Sequence, residues 1–291
     1  MNADKKISVI GVNLRPIPFF RRFLMTIPNQ IADLPLLTGI KLTGKVAIVT
    51  GGGSGIGKAA AAVLAHAGCR VVIGEYDAVR GTAVANELTA AGFNAIAVQA
   101  DVSKRTDAQR LADAALAQFG SIDILANVAG VYPASLVANM DEREWDRVFG
   151  VNTKGVFNCC QAVIPTMMAN RRGAIVNIAS VDGMQPGIMP GLSGYGNAHY
   201  CASKGAVLTF TKSLAAEMAP YNVNVNALSP GWVATETALA GGRFEEGLKQ
   251  VPLGRGAQPE EIGQMILFLA SEAASFMTGT NLVFSGGSVM D

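Results

Sequence analysis

The run "GKVAIVTGGGSGIGKAAAAVLAHAG", residues 44 to 68, restricts the fold more than any other stretch. A β-branched apolar segment meets a cluster of glycines and passes directly into an alanine-rich helix that ends at Gly68. Short apolar runs bounded by turn residues read as buried strands, and apolar positions at helical spacing read as helices. The same alternation then repeats along the chain. "RVVIGE" (70–75), "NAIAVQAD" (94–101), "IDILANVAG" (122–130), "GAIVNIAS" (173–180), "VNVNALS" (223–229) and "TNLVFS" (280–285) are strand-like. Helical patterns lie between them, among them "KRTDAQRLADAALAQFG", a segment near 199–219 and "PEEIGQMILFLAS". "DEREWDRVFGVNTKGVFNCCQAVIPTMMAN" is long enough for one kinked helix or two. Alternation of this kind predicts an α/β chain: one doubly wound parallel sheet with helices on both faces.

No linker or internal repeat divides the alternating part, so residues 44–291 are expected to form a single domain preceded by an arm, residues 1–43. The arm carries six basic and two acidic side chains, an excess of +4. It reads as a non-catalytic extension, with a strap on a neighbouring subunit or a membrane-surface contact as alternatives. Its apolar part, "RPIPFFRRFLMTIP", is interrupted by Arg21, Arg22 and prolines and lacks the layout of a signal peptide. No run approaches the roughly 18 apolar residues of a membrane span.

Composition removes several functions. The net charge of +1 offers no basic excess for nucleic acid. Cys69, Cys159, Cys160 and Cys201 show no C-x-x-C pairing, and His66 and His199 are the only histidines. Zinc ligation and a histidine-based hydrolase triad are therefore not expected, nor any other metal. Reduced thiols in an intracellular, cytoplasmic setting are the simpler expectation.

"TGGGSGIG" (50–57) joins the first strand to the first helix. Gly51 permits the tight turn, Gly55 lets backbone approach a pyrophosphate, and Gly57 lets helix and strand pack closely. The helix N-terminus presents unpaired N–H groups to the phosphates. The spacing G-x-x-x-G-x-G departs by one residue from the dinucleotide pattern G-x-G-x-x-G. Glu75, at the end of the second strand and 24 residues beyond Gly51, stands where a carboxylate accepts hydrogen bonds from an adenosine ribose. A carboxylate there repels a 2′-phosphate, and neither Ser54 nor Tyr76 is basic, although Arg80 lies one turn away. NAD is favoured over NADP.

Tyr200 and Lys204, in "YCASK", stand four apart, side by side on one helix face. Free phenol titrates near ~10, so acid/base work at neutral pH requires its pKa to be lowered, and the neighbouring ammonium is the candidate cause.

Taken in order, "TGGGSGIG", "ADV" (100–102), "NVAG" (127–130), Asn152 in "VNTKG", Ser180 in "NIAS", "YCASK" (200–204) and "SPGWVAT" (229–235) closely resemble the short-chain dehydrogenase/reductase family from about residue 42 onward. Departures exist: "NVAG" stands for the commoner N-N-A-G, "SGG" (285–287) for D-G-G, and the gap from Ser180 to Tyr200 is longer than usual. The resemblance implies a Rossmann-type fold, a nicotinamide cofactor and reversible alcohol/ketone oxidoreduction. It implies a catalytic set of Asn152, Ser180, Tyr200 and Lys204. Tyr200 would exchange the proton, Ser180 would hydrogen-bond the reacting oxygen, and Lys204 would hold the nicotinamide ribose. Asn152 would anchor a water beside Lys204. Cofactor contacts are implied for Gly51, Ser54, Gly55, Ile56, Gly57, Glu75, Asp101, Val102, Asn127, Ala129, Tyr200, Lys204, Pro230, Gly231, Val233 and Thr235. Asp101 and Val102 would flank the adenine, and Thr235 the carboxamide end.

Met184, Met189, Tyr195 and Trp232 are candidates for a substrate pocket or for plain packing. His199 reads as an ordinary helix-start residue. The leading expectation is an NAD-dependent homotetramer or homodimer acting on a small or medium, cyclic or hydrophobic secondary alcohol or its ketone. An NADPH-dependent 3-oxoacyl-thioester reductase and a non-catalytic dinucleotide sensor are the alternatives.

Overall fold

A computed structural model of the chain describes residues 39–185 and 197–290. Seven strands form one parallel sheet: β1 (Val46–Thr50), β2 (Arg70–Glu75), β3 (Ala95–Gln99), β4 (Ile124–Asn127), β5 (Gly173–Ile178), β6 (Val223–Pro230) and β7 (Asn281–Phe284). Their order is β3-β2-β1-β4-β5-β6-β7. Chain direction across the sheet therefore reverses beside β1, and a crevice opens at the carboxyl ends of β1 and β4.

Both faces are covered, which is why the strands read as continuous apolar runs. In β1, Ala47 and Val49 point into a core shared with α1 (Gly55–His66), α2 (Ala78–Ala90) and α9 (Pro259–Leu269). Val46 and Ile48 point into the opposite core, under α3 (Arg105–Phe119), α5 (Gly155–Asn170) and α6 (Ala198–Met218). Three shorter helices, α4 (Glu142–Phe149), α7 (Glu236–Ala240) and α8 (Phe244–Leu248), complete the set, with α4 packed against α6. Close helix contact between α1 and α9 depends on Gly263, where a Cβ would stand 3.1 Å from Val63 and 3.2 Å from the Ala59 carbonyl.

The segment 141–170 is neither a simple kink nor two separate helices. α4 runs through a π-helical turn, Gly150–Lys154, into α5. The fourth strand is shorter than its apolar run, ending at Asn127. Val128 and Ala129 leave the sheet because their N–H groups donate to Thr50 Oγ1, at 3.0 and 3.1 Å, rather than to a neighbouring strand.

Cys69, Cys159 and Cys160 are buried, Cys201 is half-buried, and none forms a disulfide. Burial pushes the thiols of Cys69 and Cys159 up to about 12 and raises that of Cys160 as well. Among the described residues, no helix is long and apolar enough to cross a membrane, and no cluster of His, Cys, Asp or Glu is arranged to hold a metal ion. Residues 1–38, most of the expected arm, lie outside the described residues.

Candidate active site

The glycine loop is shaped by contacts only glycine tolerates. Gly51 has φ +66°, and a Cβ there would lie 2.8 Å from Ala129 Cα. At Gly57 a Cβ would lie 2.0 Å from the Gly51 carbonyl oxygen, so α1 can enter the loop only through glycine. Ser54 is the extended N-cap of α1 and its hydroxyl makes no capping hydrogen bond. The first-turn N–H groups of Gly55, Ile56 and Gly57 are thereby left for an outside acceptor. Thr235, which caps α7 by accepting from Ala238 N at 3.2 Å, faces Gly55 across this opening. An anionic, extended ligand such as a dinucleotide pyrophosphate fits a loop of this construction.

Glu75 reaches the same loop from the end of β2. Its Oε2 accepts from Gly53 N at 2.9 Å and its Oε1 from Asp77 N at 3.2 Å. Arg80, the nearby cation, is drawn instead to Asp77, with Nε 3.5 Å from Oδ2. Beyond β3, Asp101 Oδ1 accepts from Ser103 N and Oγ at 3.1 and 2.6 Å, and Val102 is buried. On the other side of the crevice, Gly231 N donates to Phe284 O at 3.0 Å, Val233 bridges to Ala257, and Pro230 closes β6. A side chain at Gly231 would press on Ser285, the first residue of "SGG".

Between these two ends a buried polar relay ties the sheet to α6. Asn127 Nδ2 donates to Asn177 Oδ1 at 2.9 Å, Asn177 Nδ2 to Thr211 Oγ1 at 2.9 Å, and Thr211 Oγ1 to Val207 O at 2.8 Å. Buried hydrogen-bond chains of this kind fix position, although Asn127 Oδ1 itself has no partner among the described residues. Asn127 accordingly straps β4, β5 and α6 together at the sheet edge where the loop opens.

α6 carries Tyr200 and Lys204. Lys204 Nζ is 5.9 Å from the centre of the Tyr200 ring and donates to Ile178 O, at the end of β5, at 2.7 Å. Ser180, two residues beyond that carbonyl, lies close enough to the Tyr200 phenol for its hydroxyl to lower the phenol's pKa. The turn after Ser180 rests on α6 itself: a Cβ on Gly183 would lie 2.7 Å from Gly205 N. Asn152 occupies the middle of the π-helical turn, fully buried. Its Oδ1 accepts from Val131 N at 2.8 Å, and its Nδ2 donates to Val131 O at 2.9 Å and Ser203 Oγ at 3.1 Å. Ser203 Oγ donates in turn to Tyr200 O at 2.7 Å. Gly130 passes between Asn152 Oδ1 and Lys204 Nζ, which stand 3.4 and 3.6 Å from where its Cβ would be.

The electrostatics differ from the expectation that Lys204 lowers the phenol. Burial is the largest influence on Tyr200 and pushes its pKa well above that of free phenol. The Ser180 hydroxyl opposes this, while Asp182, Tyr132 and Cys201 push the same way as burial. Burial also brings the Lys204 ammonium down to about 8. Both groups lean toward their neutral forms because each lies in a site poor in compensating charge. The amide of Asn152, likewise, is spent on Val131 and Ser203, so its side chain is a clamp. One lone pair of Asn152 Oδ1 remains for a further donor.

Other candidates part company. Trp232 packs edge-on against Phe244 at 6.0 Å and covers Gly247, where no side chain would fit, so it belongs to the packing of α8. Met184 Sδ accepts from Asn281 Nδ2 at 3.0 Å, toward β7. Met189 and Tyr195 lie outside the described residues. His199 is completely buried, 3.4 Å from Glu144 Oε1. Three residues beside Tyr200 were not singled out from the sequence: Ser203, Asp182 and Tyr132. The ring of Tyr132 stands edge-on to that of Tyr200 at 6.3 Å. Ser203 alone carried a signal, lying one residue before Lys204.

Comparison with known proteins agrees with this geometry. Residues 51–288 match a sequence family described as enoyl-(acyl carrier protein) reductase. The 3-oxoacyl-(acyl-carrier-protein) reductase of Staphylococcus epidermidis is 37% identical over 251 residues, 84% of this chain and 99% of the relative. An uncharacterized oxidoreductase of Methylorubrum extorquens is 42% identical over 253 residues, covering 85% and 98%. The crystal structure of a short-chain type dehydrogenase/reductase from Mycobacterium marinum superposes with a TM-score of 0.82 at 32% identity, over 90% of this chain and 100% of the other.

Proposed function

Since the chain belongs to the short-chain dehydrogenase/reductase family and is thereby an oxidoreductase acting on carbonyl and CH–OH groups, we propose that it moves a hydride between NAD(H) and a secondary alcohol or its ketone, with Tyr200 as general acid/base. The observation that carries this reading is the convergence of the Tyr200 phenol, the Ser180 hydroxyl and the Lys204 ammonium at one edge of the sheet. Bound along the glycine loop, the dinucleotide supplies the hydride acceptor or donor, and in its oxidised form a positive charge.

In oxidation Tyr200 takes the alcohol proton onto its phenolate oxygen. In reduction the phenol returns that proton to the forming alkoxide. Ser180, already oriented by Asp182 N at 3.1 Å, hydrogen-bonds the same substrate oxygen and stabilises its developing charge. Lys204 turns its donors between Ile178 O and a ribose hydroxyl. Asn152 holds the loop after β4 at Val131 and, through Ser203, the backbone of Tyr200. The raised phenol makes the oxidative direction dependent on alkaline pH or on a cation beside the ring.

Glu75 supports NAD over NADP, because its carboxylate faces the loop while Arg80 is engaged with Asp77. The reading includes a homotetramer or homodimer, supported by the family resemblance and by half-exposed Phe157 on α5. It also includes a cytoplasmic enzyme, supported by four cysteines outside any disulfide, and residues 1–43 as a separate arm. A second reading, an NADPH-dependent 3-oxoacyl-thioester reductase, is favoured by the names of the 37%-identical relatives. Both readings are decided by initial rates with NADH and NADPH on cyclohexanone and on an acetoacetyl thioester. NADH with the ketone is expected to be the faster pair. Tyr200→Phe is expected to lower turnover by about 10³-fold or more with NADH binding retained; undiminished turnover removes Tyr200 from the chemistry.

A further inference from the structure

Asp182 is a carboxylate beside the reacting groups that the proposed chemistry leaves unused. Its place is fixed from three directions. Its own N–H donates to Ser180 Oγ at 3.1 Å, so it lies one tight turn beyond the hydroxyl that meets the substrate. The following residue, Gly183, rests on the Lys204–Gly205 backbone of α6 and prevents the turn from swinging out. Its Oδ2 lies 3.4 Å from Nδ2 of Asn197, the N-cap of α6, three residues before Tyr200. Among the described residues that long contact is the one hydrogen bond its carboxylate receives. Its side chain is only partly exposed, and that partial withdrawal from water raises its pKa. A carboxylate has about four acceptor positions, and this one, partly exposed beside the reacting groups with a single weak donor, has positions open to a ligand.

We propose that Asp182 accepts a hydrogen bond from a second hydroxyl of the substrate, close to the reacting carbon, and so selects diols and hydroxyketones over simple alcohols and ketones. The inference rests on the alcohol/ketone reading above and adds the substrate class to it. Substrates with an anionic group at that position are rejected by like charge. The same charge acts on the phenol. The titratable groups facing Tyr200 are Asp182 from the turn after β5, Tyr132 from the loop after β4, and Cys201 on its own helix, with Lys204 one turn on. Of these, Asp182 is the nearby carboxylate, and its negative charge opposes formation of the phenolate.

The test compares kcat/KM for cis-1,2-cyclohexanediol and cyclohexanol with saturating NAD, in wild type, Asp182→Asn and Asp182→Ala, each across pH 6 to 11. Wild type is expected to prefer the diol by about tenfold or more, as a hydrogen bond to a charged group warrants. Asp182→Ala is expected to bring the ratio to near unity, and Asp182→Asn to reduce it. Asp182→Asn is also expected to move the midpoint of the oxidative pH profile to lower pH, since the charge opposing the phenolate is gone. A purely structural residue would not shift that midpoint. A wild type that treats both alcohols alike, or a preference intact in both variants, overturns the proposal. Should one variant fail to bind NADH, the other decides; should both fail, the wild-type ratio decides. Loss of the diol preference with Tyr200 still essential for cyclohexanol is the supporting pattern. Turnover that survives Tyr200→Phe instead sinks the underlying reading.

Discussion

Lys204 shows how a single residue can be costly to the fold and necessary to the site. Its side chain is 4% exposed and, among the described residues, donates to one protein acceptor, the Ile178 carbonyl. Burial lowers its pKa from 10.5 to about 8. The unfolded chain therefore binds more protons than the folded one between those two values, so stability rises with pH through that window and the penalty is fully present below about pH 8. At neutral pH the penalty is about 3 kcal/mol, offset in part by the hydrogen bond to Ile178. Lys204→Met is expected to lose turnover yet melt a few degrees higher at pH 7, at about 2–4 °C per kcal/mol. That advantage should fade as the buffer approaches pH 10.5; thermal melts at pH 7 and pH 10 check it, and equal melting at pH 7 refutes it. At this scale the sequence was informative about identity and silent about environment. The four-residue spacing brought Tyr200 and Lys204 together, but spacing carries no information on burial, and burial decides which way each group titrates. For the same reason Asp182 and Tyr132 were missed: they sit in connections without periodicity, where neighbours are set by tertiary packing.

Among the elements, the π-helical turn Gly150–Lys154 does the most to organise the site. Its wider turn lets Asn152 face inward between two ordinary helices, a common use of such bulges. From there its amide makes three hydrogen bonds, two to Val131 and one to Ser203. Asn152→Ala is expected to leave the Val131 backbone groups unpaired and cost about 2–4 kcal/mol of stability. It should also slow turnover more than it weakens NADH binding, because the clamp reaches Tyr200 through Ser203. Urea unfolding together with kcat and NADH titration measures both, and an unchanged unfolding midpoint would show the clamp to be dispensable. A sequence pattern of one long helical segment cannot reveal this turn, since apolar spacing survives one extra residue. The glycine loop, in contrast, was legible because its constraints are covalent and local: Gly51 needs positive φ, and Gly57 has no room for a Cβ.

Over the whole molecule, the alternation of strands and helices was enough to give a parallel sheet with two covered faces, because each apolar run had to be buried twice. Strand order was not contained in that alternation; it depends on which helices cover which face. The observed order β3-β2-β1-β4-β5-β6-β7 places the reversal beside β1, and the glycine loop, Asn127, Ser180 and the start of α6 all gather at that carboxyl edge. The uneven distribution of the thiols follows from the same architecture. Three are sealed within the two layers under the helices, whereas Cys201 stands half-exposed next to Tyr200. A maleimide fluorophore should therefore attach once per native chain, at Cys201, and at all four positions only after unfolding, as peptide mass mapping would reveal. The protein comes with its own reporter position, where a dye can register ligand arrival without any engineered cysteine.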